Sequence, residues 1–125
     1  MRKNIVLIAG LLFVCFVGLQ AAQPVAAAKL VDHGAIKGTD PDYGYYKVSW
    51  FTYQTGTNYV KTNVFSYWAF CDDTTKMTVT LKKVSKTKIK MTMYDSDLKR
   101  SYTTYGYTKL TAAKYYWRVF RPAMF

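Results

Sequence analysis

Side chains able to move protons or attack a substrate are scarce in this 125-residue chain. There is one histidine, His33, and the seven acidic residues are all aspartate. As a general base His33 needs an orienting partner, such as Asp32 or a distant aspartate. Adjacent residues seldom reach that geometry, so a surface or structural histidine is expected, not a member of a catalytic triad. Asp40 and Asp42, Asp72 and Asp73, and Asp95 and Asp97 form close acidic pairs. A calcium loop needs further oxygen ligands at set spacing, and the sequence does not supply them. Turn formation accounts for all three pairs. No metal-ligand cluster, phosphate-binding glycine loop or nucleophile elbow is spelled out. The sequence therefore predicts a binding protein, not an enzyme, with no catalytic residue, metal or cofactor.

The binding chemistry on offer is cationic. Eighteen basic residues face seven acidic ones, a formal net charge of +11, and lysine outnumbers arginine by 14 to 4. Lysine acts as a point charge, suited to loose contact with polyanions, and a field of this sign draws them in. Three candidate surfaces stand out. The first is one face of a hairpin: Thr78, Thr80, Lys82, Lys88, Lys90 and Thr92. It reads either as a platform for phosphate- or pyrophosphate-bearing ligands or as a solvated face whose lysines guard a sheet edge. The second is the aromatic supply, which suits sugar stacking and membrane interfaces; Trp50, Trp68 and Trp117 lie in expected strands and are assigned to the core. The third is the tail from Tyr115 to Phe125, with Tyr116, Arg118 and Arg121. It reads either as an element that inserts at a membrane surface or as a final core strand. Interleaved Lys and Tyr also suit single-stranded nucleic acid, but an extracellular address argues against that partner.

That address comes from residues 1–28. Arg2 and Lys3 precede an apolar run from Ile5 to Val17, and Ala26-Ala27-Ala28 offers small residues for cleavage. This is the layout of a secretory signal peptide, and the run is short for a membrane span. Cleavage leaves one domain, residues 29–125, with 16 basic residues against 7 acidic ones and a net charge of +9. No stable transmembrane span is expected after cleavage, and the protein is expected outside the cell or on its surface. Cys15 is lost with the signal, so Cys71 has no partner within the mature chain and the domain must rely on its core. Cys71 follows an apolar run and is expected to be a buried, inert thiol. Scarcity of cysteine in an exported protein suggests a Gram-positive source.

The elements that must position these groups read mainly as strands. Lys29 to Gly44, with glycines, Pro41 and aspartates, is expected to be an irregular lead-in. Tyr45–Tyr53 and Tyr59–Cys71 are rich in aromatic and β-branched residues. Met77, Val79 and Leu81 alternate with Thr78, Thr80 and Lys82; Ile89, Met91 and Met93 alternate with Lys88, Lys90 and Thr92. This describes a hairpin with one wet face. Ser101–Tyr107 and Lys114–Phe120 complete about six strands, with at most one helical turn at Thr111–Lys114. The fold class is all-β: a small antiparallel β-sandwich or barrel.

Several tracts resemble the lactococcin-972-type bacteriocins, small secreted β-sandwich proteins of Gram-positive bacteria. Val31-Asp32-His33-Gly34 and Asp42-Tyr43-Gly44 are similar to the family's aromatic-or-His-Gly motif near the mature start. Val48-Ser49-Trp50-Phe51-Thr52-Tyr53 and Thr62-Asn63-Val64 resemble its following strand and Ser/Thr segment. Ala113-Lys114-Tyr115-Tyr116-Trp117-Arg118 resembles its ending. The likeness covers the two ends of the mature domain and leaves out the hairpin from Lys76 to Tyr94. The family's second His tract is replaced here by Gln54 and Tyr59. The resemblance implies an antibacterial protein acting on the envelope of related cells, at an anionic component such as a wall polymer, a lipid-linked precursor or an anionic lipid.

Overall fold

A computed structural model describes residues 27–125. The signal-peptide reading falls on residues that, but for Ala27 and Ala28, lie outside the described ones. Six antiparallel strands form one open sheet in chain order: β1 Lys29–Asp40, β2 Gly44–Gln54, β3 Tyr59–Trp68, β4 Asp73–Ser85, β5 Lys88–Asp95 and β6 Arg100–Tyr107. The all-β expectation holds with six strands, but they form one open sheet in place of the expected sandwich or barrel, and Lys29–Asp40 takes the place expected of Lys114–Phe120 among them. Against one face of this sheet packs a C-terminal helical segment. It comprises α1 Ala112–Tyr115, a π-helical turn Tyr116–Phe120, and α2 Arg121–Met124. Among the described residues no helix is long and apolar enough to cross a membrane.

Two segments differ from the sequence expectation. Lys29–Asp40 is a strand, not an irregular lead-in. Its glycines are there for close approach to aromatic rings. Gly34 lies opposite Trp50 and Gly38 opposite Tyr46. A Cβ on Gly34 would sit 2.6 Å from Trp50 Cζ2, and one on Gly38 would sit 2.9 Å from the Tyr46 hydroxyl. Each ring lies over the bare backbone of its cross-strand glycine, covering a strand that has no side chain there to pack.

The second difference is the tail, Lys114–Phe120, which is helical and not a strand. Its aromatic and β-branched residues favour strands locally, yet Ala112, Tyr116 and Phe120 recur every four residues and form one helical stripe. Ala112 and Tyr116 are fully buried against Val60, Leu81 and Ile89, and Phe120 packs on the same cluster. The Thr111 side chain caps the first turn by accepting from the Lys114 amide at 3.2 Å. The tail thus supplies the second layer that the sheet's apolar face requires.

The period-two reading of the hairpin is correct. Val79, Leu81 and Ile89 are buried with Val60 and Val64 on the helix-covered face. Of the tryptophans assigned to the core, Trp50 is buried, Trp68 is half-buried, and Trp117 is exposed on the outside of the tail. Cys71 is exposed, contrary to expectation. It follows Phe70 in the β3–β4 turn, where the apolar run has already left the sheet. Tyr43, Trp68 and Phe70 cluster there, with Tyr43 and Phe70 centroids 5.1 Å apart.

The acidic pairs do make turns. Asp40 Oδ1 accepts the amides of Asp42 and Tyr43, and Asp95 Oδ1 accepts those of Asp97 and Leu98. The same Asx turn therefore closes the β1–β2 and β5–β6 hairpins.

The core is small, so single truncations are expected to matter. Leu81→Ala should cost about 3 kcal/mol through lost burial and the cavity left behind. Gly34→Ala, although it adds β-propensity, should cost about 2 kcal/mol by driving a methyl into Trp50. Urea denaturation followed by tryptophan fluorescence checks both; a neutral Gly34→Ala would show that the ring can shift aside.

Candidate functional site

The sheet separates its charges. Directly opposed residues in an antiparallel pair share a face, so the register assigns each side chain to one side. The uncovered face carries Lys37 opposite Lys47, Lys61 opposite Thr80, Lys76 opposite Phe65, Lys82 opposite Lys90, and Lys88 opposite Tyr107. All seven lysines lie on that side, and no aspartate is among its strand positions; Asp72, in the β3–β4 turn, reaches only the Tyr67 hydroxyl at its end, 3.0 Å away. Asp40, Asp42, Asp72, Asp73, Asp95 and Asp97 sit in or beside the three turns at one end of the sheet, and Asp32 points to the covered face. Two lysine pairs, Lys37–Lys47 and Lys82–Lys90, are direct cross-strand neighbours. Like charges in that position destabilise a sheet. Among the described residues no acidic side chain is within ion-pairing distance of any of these lysines; the single ion pair is Arg121–Asp32.

Lysine face and aromatic residues are interleaved. The Lys88 ammonium lies 5.4 Å from the Tyr105 ring centre and that of Lys76 lies 5.8 Å from Phe65. Tyr59 stands opposite Lys82, and Tyr105 opposite Lys90, so one row across four strands reads Tyr59, Lys82, Lys90, Tyr105. Beside that row is a shallow depression of about 380 Å³ lined by Ala28, Tyr53, Thr55, Tyr59, Lys61 and Asn63. Asn63 Oδ1 accepts from the Thr78 hydroxyl at 3.1 Å, which leaves its amide hydrogens free to donate outward. The face is open, with lysines that reach out from a rigid sheet. It can hold an extended anionic ligand by charge and hydrogen bonds. Among the described residues no three His, Cys, Asp or Glu side chains converge as metal ligands.

Of the residues singled out in the sequence, Thr78, Thr80, Lys82, Lys88, Lys90 and Thr92 are brought together on this face. The other three are not. Tyr116, Arg118 and Arg121 belong to the tail on the opposite side of the sheet. Tyr116 is 1% exposed and cannot touch a ligand. Arg121 is engaged by Asp32, and Arg118 is exposed but remote from the lysines. Lysines 37, 47, 61 and 76 were not read as part of the site. The signal for Lys61 was the odd-numbered alternation Tyr59, Lys61, Asn63, Phe65, Tyr67 along β3, and that for Lys76 was the alternation Lys76, Thr78, Thr80, Lys82 along β4; Lys37 and Lys47 join them only through the sheet register. Lys83 in the same run is structural: its ammonium donates to the carbonyls of Thr108 at 2.6 Å and Leu110 at 2.7 Å.

The opposite face contains the joint that holds the tail down. Asp32 Oδ2 accepts from Arg121 Nε at 2.6 Å, from the Tyr116 hydroxyl at 2.6 Å and from Trp50 Nε1 at 3.1 Å. The Asp32 side chain is 8% exposed. Because the carboxylate only accepts, Tyr116 must give it its one proton. Thr52, 2.7 Å from the Tyr116 oxygen, then donates to Tyr116, and Thr62, 2.9 Å away, donates to Thr52. Thr52 and Thr62 are fully buried, so this relay satisfies groups that water cannot reach. Phe125 stacks on Trp50 at 4.1 Å, closing the joint. His33 projects from the other face, as adjacent residues in a strand must, so no Asp32–His33 dyad exists.

Comparison with protein-family models, with curated proteins and with solved structures finds no match for this chain.

The joint sets a pH window. Burial raises the proton affinity of Asp32, but the hydrogen bonds from Arg121, Tyr116 and Trp50 outweigh it and hold the carboxyl below its ordinary value. Its contribution to stability is present above the usual carboxylate range and lost as pH falls through the lower folded value. Burial, then the bond to Asp32, pushes Tyr116 up to about 12. Its contribution is present below pH ~10 and lost as pH rises through that folded value. The melting temperature is therefore expected to hold a plateau between those limits. Asp32→Asn should cost about 2 kcal/mol at neutral pH and flatten the acid limb in scanning calorimetry. An unchanged acid limb would assign acid unfolding to the turn aspartates.

Proposed function

We propose that this chain is a secreted cationic protein that binds an anionic component of the cell envelope of related Gram-positive bacteria through its lysine face. The mechanism is binding, not catalysis. The observation that carries the reading is the uncovered sheet face with seven lysines, two directly opposed like-charge pairs and, among the described residues, no acid within ion-pairing distance of them. Such a face is held at a cost that an anionic ligand offsets. The export layout of residues 1–28 supports the location. The resemblance to lactococcin-972-type bacteriocins supports an inhibitory outcome for the bound cell.

A second reading is favoured by one feature of the tail. The cationic, aromatic segment 112–125 is latched onto the sheet by Asp32 and by the stacking of Phe125 on Trp50, which opposes its release into a membrane. That favours a non-toxic surface protein that adheres to wall polymers or glycans through the same lysine face.

The two readings part in one experiment. Purified residues 29–125 are mixed with isolated walls, sedimented, and washed with increasing salt, while the same protein is spotted on lawns of related strains. Both readings expect sedimentation and release by salt, because the attraction between exposed charges is screened. Lys82→Glu with Lys90→Glu should weaken wall binding by roughly a hundredfold, as each reversal replaces an attraction with a repulsion. Clearing of the lawns supports inhibition, and undisturbed growth supports adhesion. Wall binding that survives both high salt and the double reversal would overturn the lysine face as the site.

A further inference from the structure

The lysines on the uncovered face are not scattered evenly. Neighbouring strands lie about 4.8 Å apart, and same-face residues along a strand about 6.7 Å apart. With the observed register, Lys37 and Lys47 occupy one corner, near the β1–β2 turn. Lys82, Lys90 and Lys88 lie towards the diagonally opposite side, near the β4–β5 turn. Lys76 and Lys61 fall between. The seven form a diagonal band roughly 40 Å long and roughly 10 Å wide. Asn63 lies in the middle of the band, in the stretch between Lys76 and Lys61, with its amide free to donate. The flanks carry no lysine: Thr92, Thr103 and Ser101 on one side, Phe51 and Tyr53 on the other.

A band of this shape suits a linear chain, not a compact headgroup. Single charges separated by several ångströms, with hydroxyl and amide groups between them, complement a polymer whose anionic groups are spaced by neutral hydroxylated units. Two of the aromatic rings along it are already covered by ammonium groups, Lys76 over Phe65 and Lys88 over Tyr105. Tyr59 and Tyr107 remain open, but both lie towards the Lys82–Lys88 end, so the band as a whole is a poor run of platforms for nucleobase stacking, which needs an open ring face at each base. A lipid surface fits less well too. The exposed apolar residues of the tail, Trp117, Val119 and Met124, lie on the opposite side of the sheet from the lysines, and Tyr43, Phe70 and Leu98 are at the turn end that carries six aspartates, which an anionic bilayer repels.

We infer that the band is a track for a linear polyol-phosphate polymer, engaged over roughly six repeats. This rests on the proposed lysine-face reading and names its ligand class. The phosphates pair with the lysines in turn, and the polyol units lie over Asn63 and the neighbouring threonines.

Calorimetric titration with synthetic glycerol-phosphate oligomers of increasing length tests it. Affinity should rise by roughly tenfold or more between two and six repeats, as successive phosphates bind within one molecule, and then level off. Replacing Lys37 and Lys47 by Gln should shorten the length at which affinity levels off. It should weaken two-repeat binding far less than six-repeat binding, because Lys82, Lys88 and Lys90 remain. These lysines are exposed, and circular dichroism verifies that the variant folds. A two-repeat oligomer that binds as tightly as six would overturn the track in favour of a single phosphate subsite. Tighter binding of an oligonucleotide with the same number of phosphates, or of anionic vesicles alone, would overturn it in favour of those partners. If walls stripped of phosphate polymers still retain the protein through Lys82 and Lys90, the lysine face stands and the polyol-phosphate ligand falls.

Discussion

The structure depends on one buried carboxylate oxygen. Asp32 Oδ2 gathers donors from β2 and from both halves of the tail, and it does so from β1, the strand at the sheet's edge. A six-stranded open sheet with one apolar face is unstable alone in water, because that face needs a second layer. The tail is that layer, yet a segment of 14 residues is marginal as an isolated helix. Burial of Ala112, Tyr116 and Phe120 supplies the drive. Asp32 supplies the position, since three donors converging on one oxygen permit a single placement of the helix.

The covered and uncovered faces divide the molecule's work. On the covered face, apolar side chains and a fully satisfied polar relay fix the fold without any disulfide within the described domain. The uncovered face is then free to hold lysines at positions that disfavour the sheet. Lys82 beside Lys90 and Lys37 beside Lys47 are tolerated because stability resides on the other side. The acidic residues do not neutralise them. They sit in turns, where the carboxylates of Asp40, Asp73 and Asp95 hold backbone amides, or in the tail joint. Composition alone shows an excess of lysine; the fold turns it into one positive face.

The parts of this arrangement legible in the sequence are those governed by near neighbours. Alternation along β4 and β5 is a local property, and it assigned Leu81 and Ile89 to the core and Lys82 and Lys90 to the wet face correctly. The aspartate turns were legible because an Asx turn needs only its own few residues. Gly34 and Gly38 misled, because a glycine that opens a turn and one that admits a ring look the same until the cross-strand partner is known. The tail misled for a related reason. Its residues favour strands one by one, while the four-residue spacing of Ala112, Tyr116 and Phe120 gains meaning only against Val60, Leu81 and Ile89.

By itself the sequence determined an antiparallel all-β domain with a cationic surface and almost no catalytic inventory, since strand period, turn chemistry and net charge are fixed by residues close along the chain. Only the tertiary structure decided that the last layer is helical, that Asp32 serves Arg121 and Tyr116 in place of His33, and that seven lysines from five strands share one side. Those outcomes join residues as far apart as 32 and 121, and contacts across such distances arise from register and packing, which no local pattern encodes.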